Sequence, residues 1–487
     1  MSYASTRRGT PWVQIAVVGL AVAILAAFAG LIPLGTWRVD EYHDFGLYRL
    51  RGWSYFFERL LTWSPRPLSE VIAGLYYLAE EGTGRQLLAP FLALMWLPLL
   101  LGPALHVWRG RPDAVGPRLL VVAVVLCFFL VGHPVAEVFY WPMGSVAYAT
   151  TLAAIGALTF QVIDGRWMGG HGRAFCIVAL LCAAGSAEFG AIMSIYFAGI
   201  MFMLHVTGRI GAPAQARPWL VPLAFGIVVM IALALGRGRL DENIVYGGVS
   251  PNPTYLKHPI ASVLRTFPTY FRQLIVLDGT VLGRLAFAWG APIKAGLCIG
   301  LLAVIWAAPG PALTRQTRWV LGGLLLALQA TFFTSIAGSY YKFGLVCCER
   351  HDTMRQCLMV LSILSAVTLI ASVLPKVQRP DRLSIAGASI LGLTLLVSLA
   401  RELPGMQSAY AAWPNSIAVR HANWNSGHAP GERMTLLMLP LLPVVDGLVP
   451  PERGTLRRDA HPPWIWDLVM TFFDKQEIEF KPVTQMP

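Results

Sequence analysis

Charge is scarce in this chain. Its 26 acidic and 38 basic residues make up 13% of 487, about half the share of an ordinary soluble domain. That excludes a water-facing surface around most of its length. No phosphate-binding glycine loop and no dinucleotide fingerprint occurs, so nothing marks a site for a nucleotide sugar. Internal repeats and low-complexity tracts are also missing. Cysteine is limited to seven residues, with no Cys-x-x-Cys pair and no Cys/His spacing suited to zinc. Cys127, Cys176, Cys182, Cys298 and Cys357 fall in or beside apolar runs, where a thiol packs as a small buried group, and Cys347 and Cys348 lie in a loop. The net charge of +12 does not point to nucleic acid. The basic residues sit in short connections between apolar runs, which is the positive-inside pattern.

Apolar residues, by contrast, make up 56% of the chain, and mean hydropathy is +0.58. Runs near the ~20 residues needed to cross a bilayer recur along the sequence, so the expected fold class is an all-α integral membrane protein. Eleven spans are expected, at 12–34, 87–106, 119–133, 143–163, 174–186, 189–206, 219–236, 287–308, 319–337, 356–375 and 384–400. The first is too long for a signal-peptide core and has no small-residue cleavage site. With the N-terminus inside, the inner connections carry Arg109, Arg111 and Arg118; Arg166 and Arg173; Arg209 and Arg217; Arg315 and Arg318; and Lys376, Arg379 and Arg382. Each is short and basic.

The outer side then receives the bulk outside the bilayer. The loop 35–86 contains SEVIAGLYYLAEE at 69–81, too short to span and expected to be a surface helix. The segment 237–286 is amphipathic in its second half, interrupted by Arg265 and Arg272, and is expected to lie along the outer membrane face. Residues 1–400 form the expected transmembrane domain and 401–487 a small outer α/β cap. In that cap an apolar strand (MTLLMLPLLPVV), a helix (WIWDLVMTFFD) and a second strand (IEFKP) follow one another.

Three sets of residues can carry chemistry. Asp40, Glu41 and Asp44 stand just past the first span, with His43 beside them. Glycosyl transfer needs a carboxylate to take the acceptor proton, and a second carboxylate can hold a metal; a divalent metal here is left open. Asp40 is nearest the membrane edge. The second set is cationic and outer, where the charge rule expects few basic groups: Arg66, Arg265, Arg272, Lys342, Arg350, His351 and Arg355. Such groups stabilise a departing phosphate, or else serve as ion pairs and headgroup contacts. The third set comprises Glu137, Tyr140, Trp141 and Glu188, with Tyr148 nearby. These are carboxylates and aromatics at the membrane edge that can contact a sugar or pack into the bundle.

Three patches, VDEYHDF, SPRPLSE and FYWPMGSVAY, together with the long first outer loop and the outer C-terminal tail, resemble polytopic bacterial glycosyltransferases of the GT-C class. The likeness is to membrane families that include O-antigen glucosyltransferases. It implies a GT-C-like fold in a bacterial inner membrane. It also implies a polyprenyl-phosphate-sugar donor, a cell-envelope glycan or lipid acceptor on the periplasmic face, contact with membrane lipids, and Asp40 as base with Glu41 as its partner. The family pattern often has Asp at both positions, so Glu41 is a departure that bears most on a metal role. The alternatives are an O-antigen polymerase or ligase, which would place its large Arg- and His-rich loop late in the chain, and a transporter of lipid-linked sugars, which would show broken spans in two matching halves.

Overall fold

The computed structural model describes residues 12–235, 254–275, 283–308, 313–346, 348–375, 377–438, 442, 444–445, 454–460 and 462–482. Parts of the expected outer segment 237–286, and Cys347 and Lys376, lie outside the described residues. Nine described helices are long and apolar enough to cross a membrane: α1 (Trp12–Leu34), α5 (Leu88–Trp108), α7 (Pro142–Ile163), α9 (Glu188–Val206), α10 (Pro213–Leu235), α12 (whose apolar stretch is Gly290–Ala307), α13 (Arg315–Phe343), α14 (Glu349–Ala371) and α15 (Pro380–His428). The chain is a helical, multi-pass membrane protein.

The nine coincide with nine of the eleven expected spans. The other two are shorter helices, α6 (Val115–Phe128) and α8 (Gly170–Ser186). At 14 residues α6 is about 21 Å long, and the turn Ala136–Tyr140 follows it before α7. Every residue from Leu120 to Phe128 is buried among other helices.

Between α1 and α5 the first loop folds into three helices, α2 (Val39–Arg51), α3 (Trp53–Thr62) and α4 (Pro67–Thr83). Gly52, at φ 60°, makes the corner between α2 and α3. Pro67 opens α4 at a position where its missing N–H costs nothing, and Gly84, left-handed at φ 63°, closes it. The expected surface helix at 69–81 is the body of α4.

The second amphipathic helix, α11 (Pro259–Ile275), packs with its polar side inward. Ser262, Thr266 and Gln273 are buried, while Ile260, Leu264, Phe267 and Phe271 are exposed. Tyr270 donates to Gln329 Oε1 on α13 at 2.6 Å, and the Thr269 and Tyr340 hydroxyls meet at 2.8 Å. An apolar face turned away from the protein is the arrangement of a helix in contact with lipid.

The expected boundary at 400 is not where the last helix ends. α15 runs for 49 residues from Pro380 to His428, about 74 Å, through Pro404 and Pro414. Its polar second half is held to the bundle by side chains. Tyr410 donates to Ala27 O at 2.7 Å, and Arg420 donates to Gly35 O and Pro33 O. Beyond it β1 (Arg433–Met438), β2 (Thr455–Arg457), α16 (Trp464–Phe473) and β3 (Glu477–Pro482) form a three-stranded sheet and one helix. The order is β1-β3-β2, with β1 parallel and β2 antiparallel to β3. Met434, Val469, Met470, Ile478 and Phe480 make a small core of their own. This unit docks on α2 through Phe472, whose ring lies 5.6 Å from Trp37, 5.5 Å from Tyr42 and 5.4 Å from Phe45.

Candidate functional site

The turn joining α6 to α7 sets one wall of the site. Ala136–Tyr140 is a π-helical turn, a form that recurs at functional positions, and a Cβ at Gly144 would collide with Glu137 O. The chain therefore needs glycine there to bring Glu137 back over the start of α7. Glu137 Oε1 accepts from Arg38 Nη1 at 2.9 Å, and its Oε2 accepts from the backbone N of Arg350 at 3.0 Å. Both guanidiniums lie over the Trp141 ring, Arg38 at 5.4 Å and Arg350 at 5.5 Å. Arg350 is delivered by the turn before α14, where Cys348 is disulfide-bonded and holds the left-handed φ of 68° that a non-glycine residue adopts only under constraint.

A second wall comes from α4 and α9. Arg66, just ahead of α4, donates to Glu188 Oε1 at 2.6 Å and lies 5.8 Å from the Tyr148 ring centre. Burial opposes its charge, but Glu188 and Tyr148 outweigh that and raise its pKa. Ser69 Oγ donates to Ser186 O at 2.7 Å, fastening α4 to the α8–α9 corner. His351 sits between the walls, 3.4 Å from the Tyr148 hydroxyl, in the field of Glu188, Arg350, Arg355 and Arg66.

The three acidic residues of the first loop take three different places. Asp40 is exposed and lies within electrostatic reach of Arg350, as Glu137 and Arg66 do. Glu41 is fully buried. Its Oε2 accepts from Trp141 Nε1 at 2.7 Å and from Arg38 N at 2.9 Å, and its Oε1 accepts from Met143 N at 3.1 Å. Burial pushes its pKa up to about 8 despite those donors. Asp44 is buried one turn further on, accepting from Tyr55 OH at 2.6 Å and paired with Arg59, which also reaches Glu70 at 3.1 Å. With both Glu41 oxygens taken by donors, the Asp40 and Glu41 pair does not fit a divalent metal. Among the described residues no group of three His, Cys, Asp or Glu stands as a ligand set.

The remaining candidates are spread wider. Tyr140 is buried with its hydroxyl on Phe28 O at 2.8 Å, leaving no ring face for a sugar. Arg355 is fully buried in α14 and paired with Asp352; its Nε and Nη1 have no hydrogen-bond partner. Arg265 and Arg272 lie on α11, Arg265 against the Tyr255 ring, and no described contact joins them to Asp40 or Arg350. Lys342 ends α13. Arg38, which reading the sequence passed over, is a principal member of the cluster. Its signal is weak, because a basic residue directly after a span reads as an interface anchor.

Comparison with models of known families, with characterised proteins and with solved structures returns no match for this chain.

Proposed function

We propose that the protein is a membrane glycosyltransferase with a GT-C-like organisation. It moves a sugar from a polyprenyl-phosphate carrier to an envelope glycan or lipid acceptor on the periplasmic face of a bacterial inner membrane. One observation carries this reading: an exposed carboxylate, Asp40, lies within electrostatic reach of the partly exposed Arg350 guanidinium, which also feels Arg66, although the three are up to 310 residues apart in the chain (350 − 40). A base and an anion-stabilising pair at one end of a membrane bundle suit a reaction that deprotonates a hydroxyl and expels a phosphate.

The step is a single displacement. The acceptor oxygen forms the new bond to the anomeric carbon as the bond from that carbon to the phosphate oxygen breaks. Asp40 takes the acceptor proton, and the leaving phosphate carries the electron pair toward Arg66 and Arg350. Attack opposite the leaving group gives inversion. Glu41 and Glu137 are positioning residues. The first fixes Trp141 and the start of α7 to α2, and the second holds Arg38 and Arg350 apart at a set spacing.

The test is transfer of radiolabelled sugar from a panel of polyprenyl-phosphate sugars by membranes carrying the wild type or Asp40→Asn. Transfer by the wild type alone supports the reading and names the donor. Full transfer by Asp40→Asn removes the base assignment, and no transfer from any donor by folded wild type shifts the reading to transport or polymerisation.

A further inference from the structure

The other end of the bundle holds a cavity of about 470 Å³, within the size range of small-molecule sites. It is framed by the ends of α5, α7, α12 and α14 and the starts of α6 and α15. From Arg350 in the site to Ser372 on the cavity wall, α14 and its C-cap advance 22 residues, or about 33 Å, close to the thickness of a hydrocarbon core. Site and cavity therefore lie at opposite membrane surfaces.

The cavity is amphipathic. Val121, Phe160, Ile163, Val304 and Leu364 make its apolar wall. Facing them is a charged trio, His106, Arg118 and Asp164. Asp164 Oδ1 is shared by His106 Nδ1 at 2.9 Å and Arg118 Nη1 at 3.0 Å, and Arg118 Nη1 also donates to His106 O at 2.5 Å. The Asp164 side chain is 4% exposed, yet its Oδ2 is buried without a hydrogen-bond partner. A buried carboxylate oxygen lacking a donor is costly, and a hydrogen-bond donor in the cavity relieves it. Arg118, with 27% of its side chain exposed, keeps donors for an anion. The site thus presents an anion-binding and a cation-binding group side by side at headgroup depth, with an apolar chamber next to them.

We propose that this cavity binds one phosphatidylethanolamine-class lipid, with its ammonium on Asp164, its phosphate on Arg118 and part of one chain along the apolar wall. Charge complementarity selects the headgroup. Phosphatidylglycerol brings no cation to Asp164, and phosphatidylcholine brings a cation without an N–H to donate. The proposal is independent of the glycosyltransferase reading, since none of these residues belongs to that site.

The test uses the full-length protein in nanodiscs of equimolar dioleoyl-phosphatidylethanolamine, -phosphatidylglycerol and -phosphatidylcholine, with bound lipid counted by native mass spectrometry. One retained phosphatidylethanolamine, preferred at least tenfold over each of the others, is expected. That preference should vanish in Asp164→Asn and in Ser372→Phe, which narrows the cavity without touching the charges. Equal retention of the three lipids, or an undiminished preference in both variants at wild-type melting temperature, overturns the proposal. Should Asp164→Asn fail to fold, Ser372→Phe alone decides the matter.

Discussion

Two ionic clusters at the same end of the bundle share one helix and differ in what they leave open. Asp44, Arg59, Glu70 and Tyr55 form a closed set: the carboxylates are buried, Arg59 bridges them, and the Arg59 side chain is 12% exposed. Asp40, one turn earlier on α2, lies at the edge of Arg38, Glu137 and Arg350, where the carboxylate is exposed and the Arg350 side chain is 29% exposed. In the closed cluster two buried carboxylates share one guanidinium inside the protein, and the set serves the fold of the first loop. The open one keeps a carboxylate and guanidiniums in contact with the outside, which is what a reaction at that surface requires.

Substitutions separate the two. Asp40→Asn should lower sugar transfer by about 10²- to 10⁴-fold, the usual worth of a general base, with the melting temperature in detergent unchanged because the side chain is exposed. A matching loss of melting temperature would merge the clusters into one structural unit. Arg59→Ala, in contrast, strands two buried carboxylates. It should cost about 3 kcal/mol, the low end for breaking a buried pair, read as a fall in thermal unfolding temperature; an unchanged melt would show that the network contributes nothing.

A third substitution asks whether the open cluster depends on the cap. Phe472→Ala removes the ring on which Trp37, Tyr42 and Phe45 converge and should cost about 3 kcal/mol, exposing the chain between α15 and β3 to limited proteolysis. Unaltered cleavage would show that the cap does not rely on that ring to hold α2.

The smallest effect is a pH dependence. Burial raises the Glu41 pKa to about 8 from an ordinary 4.5, so the folded protein holds this proton more tightly than the unfolded chain. The stability it contributes is fully present below about pH 4.5 and is lost as pH rises through 8. Melting temperature should therefore fall between pH 6 and pH 9, and the fall should be shallower in Glu41→Gln. Parallel slopes in the two proteins would remove Glu41 as the cause.

Much of the membrane layout was legible because a bilayer imposes length and apolarity on every span. The α6 helix shows what that reading leaves out: hydropathy gives no sign that every residue from Leu120 to Phe128 packs against other helices instead of facing lipid. The run of α15 past 400 was illegible for the opposite reason, since its polar half gives no hydropathy signal and is held by Tyr410 and Arg420 bonding to distant carbonyls.

In the site, Arg66, Glu137, Glu188 and Arg350 stood out as charges placed where the topology disfavours them. The separate fates of Asp40, Glu41 and Asp44 did not. Three acids within five positions of one helix look alike in sequence, and only the packing of Trp141 and Arg59 from elsewhere tells them apart. The trio of His106, Arg118 and Asp164 was hidden among ordinary loop residues, because its members are drawn together by the convergence of three helix ends.

A single helix, α15, starts beside the amphipathic cavity at Pro380, crosses the bundle, and hands the chain to the sheet that rests on α2. A continuous helix is stiff along its axis, so it behaves as a lever whose fulcrum is the membrane. A small tilt at its base becomes a larger sideways displacement of the cap at its tip, with Pro404 and Pro414 as the points where the arm can flex. The base of that arm, beside the cavity, is thereby joined through one element to the cap whose Phe472 packs on Trp37, Tyr42 and Phe45, across the full thickness of the membrane.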